Sequence, residues 1–217
     1  MKGLMKKDLY NLSSYKVSLL IALIFCSCFV LMDNINFGPV IFSVMLGMMA
    51  LSTFNYDETS KSEKYILSLP VTKKEIILSK DVLGVFASVI GAFLGMAITI
   101  VLVEIYNIVS SSAIFYSIES LFSTTIGSIF GVSFIQAIQI PSIYKWGAER
   151  GRIQMFIIIV IIAVVGVLLT SLLKGIDISA LTKIFNQYGL ILIILATIFM
   201  YAISYKISLK IYKNKEY

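Results

Sequence analysis

Two pairs of side chains stand at a spacing with a definite physical meaning: Ser60 with Glu63, and Thr72 with Glu75. A hydroxyl at a helix N-cap and a carboxylate three residues on satisfy two orphan backbone N–H groups reciprocally, so each pair predicts a helix start. Between them Pro70 forbids a continuous helix and biases Leu69 to extended backbone. The prediction is helix, break, helix. The first piece covers 61–68, from Lys61, and is short and amphipathic, with Tyr65, Ile66 and Leu69 available for burial. The second starts after Thr72 and runs through Lys73, Lys74, Glu75 and Lys80 without interruption, a rigid lever on which a motor subunit could act.

Other chemistry is excluded by residue type. The chain has no histidine, so no Ser/His or Cys/His pair can form, and no catalytic residue is expected. Cys26 and Cys28 are two apart on a helix and point to nearly opposite faces, so they cannot bond to each other; they read as small buried hydrophobes. No metal-ligand spacing, phosphate loop or nucleophile elbow occurs. Neither metal nor cofactor is expected in this chain, and any energy from ATP must come from another one.

The elements that position these residues are membrane spans. The 217 residues are 59% hydrophobic and 14% charged, with mean hydropathy +0.94, whereas a soluble domain is about 45–50% apolar and about 25% charged. A soluble enzyme, a disordered tail and a disulfide scaffold are excluded. Six segments approach the roughly 20 apolar residues that a spanning helix needs: 17–32, 38–54, 81–105, 114–140, 153–173 and 188–205, the fourth ending at Pro141. The polar stretch 55–80 lies between the second and third. Alternate connections then hold 16 and two of the 18 Lys and Arg residues, the two being Lys174 and Lys183. The positive-inside rule therefore predicts both termini on the cytoplasmic side. It also absorbs the net charge of +6, leaving no reason to invoke a nucleic-acid partner.

Smaller features fill in this plan. Met5, Leu9 and Leu12 form a stripe with Lys2, Lys6 and Asp8 elsewhere, the pattern of an interfacial helix. Trp146, Arg150 and Arg152 make the short connection after span four a second candidate contact for a motor. Span three carries Gly84, Ser88, Gly91, Gly95 and Thr99 about a turn apart; span four carries Ser120, Ser123, Thr124, Gly127, Ser128 and Gly131. Such stripes are helix-packing surfaces or a weakly polar translocation wall, to which Gln136 and Gln139 would contribute. Glu104 and Glu119 read as a solvated rim, and no charge is expected inside the path. Ile178, Leu181, Ile184 and Phe185 predict a short outer or re-entrant helix between spans five and six.

The start Met1-Lys2-Gly3-Leu4 through Lys7-Asp8-Leu9, the stretch Tyr56-Asp57-Glu58, the run from Ser68 to Ile76, Leu78-Ser79-Lys80, and Gly147 with Arg150-Gly151-Arg152 carry a resemblance over essentially the whole chain. The sequence resembles the type-2 ABC exporter permeases, and among them the small six-span bacterial group that includes the phenol-soluble-modulin exporter. Lys73 stands where those proteins usually have Arg. The resemblance implies an all-α membrane protein forming one permease domain over 1–217 in a bacterial cytoplasmic membrane. It also implies an N-terminal elbow helix, a coupling helix between spans two and three, and an outer helix. Two permeases, as homodimer or heterodimer, would work with two ATPase subunits that bind ATP and Mg. An uncharged path predicts an amphipathic or hydrophobic cargo, with a helical peptide as one form of it. The competing class is a membrane immunity or sensor protein that binds a toxic peptide and moves nothing.

Overall fold

The computed structural model describes residues 2–12, 16–32, 34–60, 71–110, 114–173 and 179–214. Among them the regular structure is entirely helical: α1 (Lys2–Leu12), α2 (Lys16–Leu31), α3 (Phe37–Thr59), α4 (Lys73–Val109), α5 (Ile118–Trp146), α6 (Ala148–Leu173) and α7 (Ser179–Lys213). Among the described residues five stretches are long and apolar enough to cross a membrane: Phe37–Thr59, Lys73–Val109, Ile118–Trp146, Ala148–Leu168 and Tyr188–Lys213. They coincide with the second to sixth expected spans. The first expected span falls in α2, whose 16 residues cover about 24 Å at about 1.5 Å per residue, less than the roughly 30 Å of hydrocarbon.

The second expected helix is present, with its capped start. The Thr72 hydroxyl accepts the Glu75 N–H at 3.3 Å, and the Glu75 carboxylate accepts the Thr72 N–H at 2.9 Å, after which α4 runs unbroken for 37 residues. Ser60 acts differently from the expectation: its hydroxyl donates back to the Tyr56 carbonyl at 2.5 Å, at the C-terminus of α3. The coupling helix expected over 61–68 lies outside the described residues.

Three boundaries move. The fourth span starts at Ile118, where the Ser117 hydroxyl accepts the Ser120 N–H, and it does not end at Pro141 but continues to Trp146. Proline removes one intrahelical bond, a loss that membrane helices tolerate when neighbours hold them, and Ile140, Ile143 and Tyr144 on either side of Pro141 are all core residues. The connection expected after this span shrinks to one residue, Gly147, with φ +88°. Of the segment expected to form an outer helix, 174–178 lie outside the described residues and 179–187 are the first turns of α7.

Packing follows the small residues. A Cβ on Gly91 would lie 2.5 Å from the Phe42 carbonyl oxygen, and one on Gly95 would lie 2.6 Å from that of Gly38. Gly91 and Gly95 of the span-three stripe thus mark the seam along which α3 and α4 touch backbone to backbone, where side chains would hold them apart, while Gly84 faces Gln136 of α5 and Tyr201 of α7. The Ser43 hydroxyl crosses the seam to the Ser88 carbonyl at 3.2 Å. At one end of the bundle Leu4, Leu51, Phe54, Ile76, Ile77, Ile140, Ile143, Tyr144, Ala148 and Tyr212 form a single core, drawn from every helix except α2. At the opposite end Ile35, Val103 and Leu121 form a smaller one. The outer face of α6 carries Phe156, Ile157, Val160, Ile161 and Val164, all exposed, as suits a helix facing lipid.

Helix α1 turns the other way from its expected amphipathic register. Leu4 and Asp8 are buried and Leu9 is 55% exposed. The polar Asp8 faces the bundle because cations wait for it there.

Candidate functional site

Thr53 and Asp57 are four residues apart and share one face of α3. Lys80 of α4 lies against that face, donating to Thr53 Oγ1 at 3.0 Å and pairing with Asp57 at 2.7 Å. It also pairs with Asp8 of α1 at 2.9 Å, and its ammonium stands 5.0 Å from the centroid of the Phe54 ring. Lys7 completes the cluster by pairing with Asp57 and lies 3.7 Å from Asp8. Two cations thus balance two carboxylates in a mostly buried junction, where removal of one partner from such a cluster costs about 3–5 kcal/mol. Burial pushes the Asp8 carboxyl above the usual carboxylate range, and attraction to Lys80 offsets part of that rise.

The same end of the bundle is tied together twice more. The Lys73 ammonium donates to the Tyr212 carbonyl at 3.3 Å and sits 5.6 Å from that ring. Tyr212 meets Tyr144 edge-on at 5.2 Å, and Tyr144 meets Phe54 at 5.3 Å. Glu58, next to Asp57, accepts the Ala148 N–H at 2.7 Å, a carboxylate at the positive end of α6. The elbow at Gly147, the base of α3, the base of α4 and the end of α7 therefore share one frame.

This frame is built from the segments around Lys7-Asp8, Tyr56-Asp57-Glu58, Lys80 and Gly147, and the sequence matches the ABC-2 family transporter proteins over residues 3–213. The chain belongs to that family. It is the permease component of an ABC transporter, a membrane transport part that is not itself catalytic, and the family implies an ABC ATPase subunit as partner. Neither the curated proteins nor the solved structures give a match.

The expected contact residues of this permease divide into two groups. Lys61, Glu63, Tyr65, Ile66, Leu69 and Pro70 lie outside the described residues. Thr72, Lys73, Lys74 and Glu75 open α4, with Lys74 exposed. Trp146 is exposed beneath the Lys145 ammonium, 4.4 Å from its ring centroid, and Arg150 is exposed in the first turn of α6. The Arg152 side chain lies outside the described residues.

The expected path residues are not gathered in one place. Gly91 and Gly95 are in the α3–α4 seam. Gln136 is buried, with its amide donating to the Gly47 carbonyl at 3.1 Å and its oxygen accepting the Tyr201 hydroxyl at 2.7 Å, so it cross-links α3, α5 and α7. Gln139 donates to the Gly151 carbonyl at 3.4 Å. Thr124, Gly127 and Ser128 line an open cleft of about 620 Å³ with Val40 and Val44, and Ser123 is exposed.

The expectation that no charge is buried within the spans needs correction at one residue, Asp81, which opens the third expected span. Asp8, Asp57, Lys80 and Asp81 are all buried. Glu104 and Glu119 are exposed at the far end, Glu104 accepting the Tyr116 hydroxyl at 3.1 Å. The sequence alone drew attention to those two acids and did not show that Asp8, Asp57 and Asp81 are buried, or that Lys80 is buried with them. The available signal was the placement of Lys80 and Asp81 at the edge of an apolar run, since a buried charge in a membrane helix is costly unless paired.

Proposed function

We propose that this chain is the membrane subunit of an ATP-driven exporter for an amphipathic or hydrophobic cargo, acting in a bacterial cytoplasmic membrane with both termini inside. Six spans per chain would pair with six more from a second permease, and two ATPase subunits would bind ATP and Mg. The 61–69 segment acts as the coupling helix. A push on it reaches α4 through Thr72, and α4 responds as a rod because its capped start leaves no slack. The observation that carries this reading is the ionic junction, which joins the base of that rod to α1 and α3, so a tilt at the base moves three helices together.

The experiment is co-expression with the cognate ATPase, purification through a tag on the permease, and measurement of subunit ratio, ATP turnover and export. Tyr65→Asp with Leu69→Asp should abolish export and uncouple turnover. Unchanged ATPase binding with unchanged export in that variant would sink the coupling role, and a permease that never retains an ATPase would return the immunity or sensor class to first place.

A further inference from the structure

Beside the junction lies a carboxylate that the junction does not use. Asp81 is 5% exposed, and neither of its oxygens has a hydrogen-bond partner among the described residues. Its neighbour Lys80 is already committed to Asp8, Asp57 and Thr53. Asp81 instead lines a cavity of about 350 Å³ between α4 and α7, walled by Val82, Val85, Phe86, Tyr201 and Ala202. That volume is at the small end for a ligand site. Phe86 on the wall is exposed, so the cavity opens sideways, toward the surface where lipid would lie. The Tyr201 hydroxyl is spent on Gln136.

An isolated carboxylate on an apolar wall is costly unless a counter-charge meets it, and the lining residues supply none. We infer that this cavity binds a single-chain cationic amphiphile, its protonated amine against Asp81 and its apolar body along Val82, Val85 and Phe86. The apolar wall accounts for the tail and the unpartnered carboxylate for the head. Asp81 directly follows the junction on α4, so the amphiphile enters from the adjoining bilayer leaflet. The inference is independent of transport, and the test uses no nucleotide, so its failure leaves the exporter reading standing.

The full permease in nanodiscs of zwitterionic phosphatidylcholine would be photolabelled with dodecylammonium carrying a mid-chain diazirine, and separately with the matching dodecanol probe. Adducts would be mapped by mass spectrometry. The ammonium probe should label Val82, Val85 or Ala202, unlabelled dodecylammonium should displace it, and Asp81→Asn should cut labelling about ten-fold, the equivalent of about 1.4 kcal/mol. Ala202→Phe, which fills the cavity and leaves Asp81 in place, should also remove the adducts and decides the matter if the Asn variant does not fold. Equal labelling by the neutral probe, or ammonium labelling indifferent to both substitutions, would overturn the site and leave an ordinary lipid-filled cleft.

Discussion

The Lys80 ammonium lies 2.9 Å from Asp8 Oδ1 although 72 residues separate the two in sequence. That pair fastens the N-terminal helix to the base of α4, with Asp57 and Lys7 completing the charge balance.

Removing Lys80 takes the nearer cation from the buried Asp8 and leaves Lys7 alone to balance two carboxylates. Lys80→Met should cost about 3–5 kcal/mol, read as a fall in unfolding midpoint in detergent. Adding Asp8→Asn to it should recover part of the loss, because a double-mutant cycle isolates the coupling between partners. Additive costs would show that the two residues do not act as a pair.

Asp8 also sets a pH dependence. Its folded pKa lies above the unfolded value of 3.8, so the native chain holds that proton more tightly and stability declines as pH rises through the folded value. Asp8→Asn cannot titrate and should lack that component. Unfolding midpoints of both proteins across the acidic range would check it; a slope of opposite sign in the difference would refute it.

The capping box makes a local prediction. Thr72→Ala removes the acceptor for the Glu75 N–H and should cost about 1 kcal/mol. Hydrogen exchange should speed up in the first turn of α4 and stay unchanged near Gly91. Uniform loss of protection along α4 would mean that the cap controls more than its own turn.

Glycine substitutions should separate packing from open surface. Gly91→Val drives a side chain into the Phe42 carbonyl and should cost about 1–3 kcal/mol through overpacking. At Gly127 a Cβ meets nothing within 4 Å, so Gly127→Ala should fall within about 0.5 kcal/mol of wild type. Parallel thermal melts give the comparison.

Gly147 has φ +88° and ψ 165°, a region that is essentially glycine's alone and costs other residues about 1–3 kcal/mol. Gly147→Ala should lose that much stability and weaken the Glu58 contact to Ala148. An unchanged melting point would show that the elbow can re-form with ordinary backbone angles.

Much of the fold was legible because its signals are local. Runs of apolar residues located five spanning helices, and Thr72 with Glu75 located the start of α4, since both depend on neighbours in sequence. Pro141 misled because whether a helix survives a missing N–H depends on what packs around it, and Ile143 and Tyr144 show their core positions only once α3 and α7 are in place. The junction was illegible for the same reason. Lys80 meets Thr53 and Asp8 across 27 and 72 residues, and Asp8 sat in a pattern that read most simply as the wet side of an interfacial helix. Gln136 was singled out as a candidate for the path wall, and its partners, Gly47 and Tyr201, make it a cross-link between helices.

The pairing of Asp8 with Lys80 also orders events during synthesis. Asp8 leaves the ribosome 72 residues before its partner, a delay on the order of 4–14 s at about 5–20 residues per second. During that interval Asp8 lacks its Lys80 partner, and the first helix can pair only through Lys7, once Asp57 at the base of α3 has been made. The junction is therefore complete only when Lys80, the last of its charged residues in sequence, has been made.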